Sequence, residues 1–386
     1  MKQLQGRWKT WLRVASAVLL ASSSVVAQDP ASGPWVMQSS GTRAGLRGIH
    51  AVGAPWASGV AWASGANGTV LRTEDGGYMW QSCAMPLGAE KLDFRGIWAW
   101  DANTAVIMSS GSGDQSRLYE TTDGCSSWKL VFTNPDKDGF WDAMVFWENE
   151  KATALGVEEG IILGDPVEGH FARFDVAERG DSVRPSSELS ETPASKEQAV
   201  FAASNSSIAL GKRFLQGRHP ILWFGTGGKP RPFIYRLVGT YAPISDYSDY
   251  RRKLVTHTWS RAPVPLASGV SAGVFSLAFR NEQVGMAVGG DYKNPNESAG
   301  TAAWSADGGK TWTAATKPPH GYRSAVAWDT DAKAWIAAGT NGSDISYDDG
   351  KTWSPLDNGN WNALSLPWVV GPDGRIAKLG TLPPKN

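Results

Sequence analysis

The chain of 386 residues is short of several things, and each shortage excludes something. It holds two cysteines, Cys83 and Cys125, so no disulfide framework defines its fold. Its five histidines (His50, His170, His219, His257 and His320) are scattered, with no two at metal-ligand spacing. A zinc centre is therefore not expected, and neither is any other metal or cofactor. An excess of one charge sign is missing too. With 37 basic and 37 acidic residues there is no net field to draw nucleic acid or an anionic membrane. There is no Gly-x-Ser-x-Gly elbow, and the glycine-rich run Gly225-Thr226-Gly227-Gly228 leads into Lys229-Pro230, which blocks a helix. Nothing beyond the N-terminus shows a helical period over more than about ten residues, which argues against a parallel α/β fold.

Long apolar runs are also scarce. One, at residues 14–26, follows the basic start Lys2, Arg7, Lys9 and Arg13. It is too short for a comfortable membrane span, and Val25-Val26-Ala27 before Gln28 fits a small-residue cleavage site. The expectation is a signal peptide over 1–27 with cleavage near Ala27. The mature chain, 28–386, is then a single domain with no membrane span, periplasmic or secreted, and a monomer. Export permits a disulfide between Cys83 and Cys125; two free thiols are the alternative.

What the sequence does have is glycine, 44 residues, and tryptophan, 20 residues, a turn-rich and aromatic-rich balance that suits all-β structure. One octet organises it: Ser305-Ala306-Asp307-Gly308-Gly309-Lys310-Thr311-Trp312, repeated as Ser346-Tyr347-Asp348-Asp349-Gly350-Lys351-Thr352-Trp353. Looser copies place Asp75 before Trp80 and Asp123 before Trp128. The Asp carboxylate and the Ser/Thr hydroxyl can accept hydrogen bonds from turn amides, and glycine permits φ > 0. The Trp then carries a large apolar surface into the core. Trp80 and Trp128 stand 48 positions apart and Trp312 and Trp353 stand 41 apart, spacings of a four-stranded propeller blade. At roughly 50 residues per blade, the mature chain holds about seven.

The octet resembles the Asp-box of bacterial neuraminidase repeat (BNR) β-propellers, a group that includes sialidases and photosystem II stability/assembly-factor-like proteins. Phe140-Trp141-Asp142-Ala143, Leu163-Gly164-Asp165-Pro166, Phe275-Ser276-Leu277-Ala278-Phe279, Gly289-Gly290-Asp291-Tyr292 and Gly321-Tyr322-Arg323-Ser324 are similar to the secreted, assembly-factor-like subgroup. The resemblance implies a seven-bladed β-propeller with Asp-box hairpin turns at the rim, so the boxes are structural. Blade seven has only three strands of its own. Trp35-Val36-Met37-Gln38 is expected to complete it and close the ring, removing an exposed edge. The boxes of blades three and four have decayed, the former near 175–182 and the latter into an insertion at about 241–252. A Ser-, Glu- and Pro-rich stretch at 178–196 reads as a surface loop.

Aligning blade openings places Arg47, Arg95, Asp142, a residue near Ser204, Phe275, Arg323 and Asn362 at one channel mouth. Solvated strand ends are one reading of these positions; an anion site built on three arginines is the other. Asp291 and Tyr292, on a loop after the second strand of blade five, and Tyr322 are placed to reach the same mouth. Two functions fit. The first is a non-catalytic propeller, an assembly or stability factor, that binds a protein segment or anionic ligand at this mouth. The second is an exo-acting, sialidase-like glycoside hydrolase on a carbohydrate ligand. For it, the resemblance would make Arg47, Arg95 and Arg323 the triad, with Asp142, Asp291 and Tyr322 as catalytic candidates. The Arg-Ile-Pro motif of sialidases is absent, and no glutamate stands at an inner-strand position. A paired-carboxylate mechanism also needs a defined separation of the two acids.

Overall fold

The computed structural model describes residues 33–53, 59–147, 159–177, 182–185, 194–195, 197–211, 221–241 and 254–385. The expected signal peptide lies outside them, as do most of the loop at 178–196 and of the insertion at 241–252. The described residues form seven antiparallel sheets, one per blade, with no α-helix among them. The chain is an all-β, seven-bladed propeller.

Blade one shows how the sequence makes a blade. Leu46–Ala51 is innermost and pairs with Ala61–Gly65, which pairs with Val70–Thr73 and then with Gln81–Ser82. Both central strands are buried along nearly their whole length, because blades pack face to face and leave the middle of each sheet no solvent side. The core is thus divided among the blade interfaces. Trp62 of blade one packs with Phe94, Ile97 and Tyr119 of blade two, and Trp35 packs with Ile336 and Ile345 of blade six. Indole N–H groups find partners at the same seams: Trp223 Nε1 donates to Gly308 O (2.9 Å) and Trp62 Nε1 to Asp101 O (3.0 Å).

The four octets turn alike between third and fourth strands. In the sharpest copy Ser305 Oγ donates to Asp307 Oδ1 (2.8 Å) and accepts from the Gly309 amide (2.9 Å). Asp307 Oδ1 accepts from the Thr311 amide (3.0 Å), and Asp307 Oδ2 from Thr311 Oγ1 (2.6 Å). Gly308 and Gly309 sit at φ of 78° and 82°, which a side chain rarely adopts. In the second copy Cys125 holds the position of the second glycine at φ 62° and is bonded to Cys83, stapling blade two to blade one. Of the two states left open by the sequence, the bridged one is present.

Trp35–Gln38 pairs antiparallel with Ile376–Leu379 as the outermost strand of blade seven, and the Leu46 amide of blade one donates to Gly371 O of blade seven (3.0 Å). Blade five departs most from expectation. Its inner strand, Gly269–Phe279, starts five residues before the predicted Val274, and Gly227–Gly228 and Gln198–Ala199 add to it, making six strands. The extra ladder stands up beside one end of the channel.

Candidate functional site at the channel mouth

The openings of the inner strands share a backbone device. In blade one Leu46 pairs with Gly65 and Gly48 with Ser64, so Arg47 is an extra, bulged residue. Arg95, Asp142 and Phe275 are the bulged residues of blades two, three and five in the same way. A bulge re-aims one side chain out of the sheet alternation. The residue before each bulge (Leu46, Phe94, Trp141, Val274) is wholly buried.

Arg323 does not belong to this ring, which corrects the expected alignment by one position. Its amide donates to Gly289 O of the preceding blade, as that of Leu46 does to Gly371 O and that of Trp361 to Gly339 O. Arg323 therefore occupies the core slot, and Ser324 is the ring residue of blade six. The Arg323 side chain is 0% exposed. The guanidinium pairs with the equally buried Asp344, through Nε to Oδ2 at 2.6 Å and through Nη2, while Nη1 donates to Tyr322 O and Asn341 Oδ1, both at 2.6 Å. No part of it remains for a ligand.

The remaining mouth residues do come together. Asp93 stands between two guanidiniums: Arg95 Nε donates to its Oδ2 (2.8 Å), and Arg47 Nε lies 3.9 Å from its Oδ1, an ion pair but too long for a hydrogen bond. Arg47 has a 39% exposed side chain, and among the described residues no hydrogen bond holds it. Beneath the pair runs a segment of which only a residue near Ser204 was expected at the mouth. Residues 200–207 touch four blades. The Val200 amide donates to Asp165 Oδ1 (2.9 Å) and Ala202 O accepts from Arg95 Nη1 (2.9 Å). Ser204 Oγ donates to Ser324 O (2.6 Å), Asn205 Oδ1 accepts from the Met144 amide (2.8 Å), and Ser206 O accepts from the Leu277 amide. These bonds draw the segment across the mouth as a plug, so a ligand meets a floor there.

Two carboxyl groups of blade three hold that plug. Asp142 is 1% exposed, and burial pushes its carboxyl well above the usual range; nearby Asp165 adds to this, while Arg95 and the amides of Asp165 and Ala202 oppose it. Burial also pushes Asp165 up to about 6, against the Val200 amide. The Asp291 carboxylate serves its own loop instead, accepting from the Lys293 amide (3.0 Å) and Asn294 Nδ2 (2.7 Å). Tyr322 is 3% exposed. Burial pushes its phenol far up, Arg47 pulls it back, Tyr292 adds to the rise and Arg95 opposes it, which places Tyr322 among all three. Beside it Phe201 and Phe275 stack with ring centroids 4.0 Å apart, and Tyr322 and Tyr292 each meet Phe275 edge-on. Asp93, Phe201 and the crossing of the mouth by residues 200–207 are what sequence reasoning missed; it placed only a residue near Ser204 there. The only signal was local: Asp93 stands two residues before Arg95, one turn of strand alternation away.

The fold and this mouth define a seven-bladed propeller with one end of its channel floored and rimmed by two arginines and a group of aromatics. No family model matches the chain, and no curated protein matches it. Among solved structures it is similar to "YCF48 bound to D1 peptide", with TM-score 0.52 and 15% identity, over 90% of this chain and 97% of that one. It is also similar to "YCF48 from Cyanidioschyzon merolae", with TM-score 0.40 and 15% identity, over 90% and 99%. The first likeness shows a shared propeller fold; the second is too loose to add to it.

Proposed function

We propose that the chain is an exported, non-catalytic propeller that binds a segment of a partner protein, or another anionic ligand, at the mouth where Arg47 and Arg95 converge, and so serves as an assembly or stability factor. The observation that carries this reading is the pair of guanidiniums aligned by Asp93, with Arg47 exposed and its hydrogen-bonding capacity unused. Arginine so presented suits a carboxylate, which it grips through two parallel hydrogen bonds. The plug supports recognition on a floored surface. The solved YCF48 with a D1 peptide is a precedent for a peptide on this scaffold.

The glycosidase reading draws less support from the same geometry. Asp142 and Tyr322 are buried, Asp291 is engaged by its own loop, and Arg323 is sealed in an ion pair. Screening the mature chain against an array of peptides tests the binding reading. Peptides retained should be rich in carboxylates, and Arg47→Ala or Arg95→Ala should weaken them on the order of 10- to 100-fold, as loss of a charge-assisted hydrogen bond predicts. An unchanged retention profile in both variants refutes it. Turnover of a fluorogenic sialoside that vanishes in Asp142→Ala would favour the hydrolase.

A further inference from the structure

The aromatics beside the arginines belong to a feature of blade five that the other blades lack. Phe275 (2% exposed) and Tyr322 (3% exposed) are fully packed, and Phe201 lies flat on Phe275 at an interplanar angle of 4°. Tyr292 leans edge-on against Phe275 from outside and stays 47% exposed. Its amide donates to Ser271 O (3.2 Å), next to Val270, which is 82% exposed. An aromatic ring that is buttressed from behind and open in front loses little freedom when it is covered, and such rings serve as anchors in recognition. The charge beside it is limited. Asp93 stands between the two guanidiniums and offsets part of their charge, so the mouth suits a monoanion better than a dianion.

Resting on the binding reading above, we infer that the mouth recognises a carboxylate side chain adjacent to an aromatic one: Arg47 and Arg95 take the carboxylate, and Tyr292 with Val270 takes the ring. The arginines supply most of the affinity and the ladder of blade five supplies the choice between peptides of equal charge. The plug fixes the two halves relative to each other, since Ala202 is bonded to Arg95 and Phe201, next to it, is stacked on Phe275.

Three blocked tripeptides test this on the full mature chain by calorimetry or ligand-observed NMR: Ac-Phe-Asp-Phe-NH2, Ac-Ala-Asp-Ala-NH2 and Ac-Phe-Asn-Phe-NH2. Their symmetry makes the order of the two residues irrelevant. The first should bind on the order of 2- to 10-fold more tightly than the second, the range of one good aromatic contact. The third should bind at least 10-fold more weakly than the first, and inorganic phosphate should not displace it. Tyr292→Ala, a change at a half-exposed position, should erase the advantage of the first peptide and leave the second unchanged. Equal affinity for the first two peptides, or an advantage that survives Tyr292→Ala, overturns the inference while the arginine mouth stands. If Arg47→Ala alters neither aspartate peptide, the mouth itself is not the site and both readings fall.

Discussion

Replacing Asp165 by asparagine gives the most discriminating test of how the mouth is built. Asp165 is half-buried on blade three and accepts the Val200 amide, and desolvation there raises its carboxyl from 3.8 to about 6. The folded state therefore holds its proton more tightly than the unfolded chain does. Between pH 4 and 6 the folded state binds more protons, so the stability contributed by this group is fully present below about 4. It is lost as pH rises through about 6. The interval between 3.8 and about 6, at ~1.4 kcal/mol for each pH unit, is worth about 3 kcal/mol. Asparagine is nearly isosteric with the protonated acid and still offers an oxygen to Val200, but its extra N–H adds an offset of unknown sign. The part of that offset that involves no titrating group cancels when two pH values are compared, and relief of the nearby Asp142, which Asp165 pushes up, favours the variant as well. The measurement is urea unfolding of wild type and Asp165→Asn at pH 3.5 and pH 7.5, with two probes to establish two-state behaviour. The variant should gain on wild type by about 3 kcal/mol between the two pH values. A stability difference that stays flat across this range refutes the claim that folding raises this carboxyl.

The other predictions follow from contacts already described. Arg323→Ala strands the buried Asp344 and should cost on the order of 3–5 kcal/mol in unfolding free energy, whereas Arg47→Ala should cost under about 1 kcal/mol. Equal losses would mean that Arg323 is not sealed in the core. Asp307→Ala removes the acceptor of the Ser305, Thr311 and Lys310 hydrogen bonds, and a loss of about 1–3 kcal/mol is expected in the same assay. Replacing Cys83 and Cys125 together by serine opens a loop of 42 residues and should lower stability by about 3–4 kcal/mol on the chain-entropy model, with the far-UV spectrum retained. Raising salt from 50 mM to 500 mM should weaken peptide binding at the half-exposed arginines, because charges there are screened over roughly 10 Å or less.

The blade count was legible because the octet needs particular residues. An aspartate to accept turn amides, glycines at positive φ and a tryptophan to fill the next seam leave a mark every 41 to 48 residues. The bulges were legible in part. Leu46-Arg47-Gly48-Ile49 and Phe94-Arg95-Gly96-Ile97 repeat almost letter for letter, since glycine after the bulge must pass close to the neighbouring inner strand; a Cβ on Gly48 would lie 2.8 Å from Arg95 O. Blade six broke the pattern by putting a charged residue in a slot that is apolar elsewhere. Arg323 looked like its neighbours Arg47 and Arg95 for the wrong reason. The correcting signal was Asp344, an acid within an otherwise small, uncharged and fully buried strand, which demanded a buried cation. The plug was legible only at the one position near Ser204, not as a segment that crosses the mouth. Its residues repeat nothing, and their partners come from blades two, three, five and six, so no local pattern announces them.

The two ends of the propeller treat their polar groups in opposite ways, and that asymmetry points to the mouth independently of its arginines. At the end that carries the octets, each aspartate is satisfied within its own turn, and the hydrogen bond from Ser127 leads those that draw Asp123 down to about 2. At the mouth, Arg47 Nε, Asp93 Oδ1 and Asp142 Oδ2 are all buried atoms without a hydrogen-bond partner, and two acids are held in surroundings that oppose their charge. Buried polar atoms are seldom left unsatisfied, because each such atom costs about 1–3 kcal/mol. Other buried atoms, such as Tyr119 Oη and Trp335 Nε1, also lack a partner among the described residues, but at the mouth three of them gather around one pair of guanidiniums. Such departures from local consistency mark the places where a sequence serves something besides folding. A ligand that brings one carboxylate to Arg47 supplies the partner that this end of the molecule lacks.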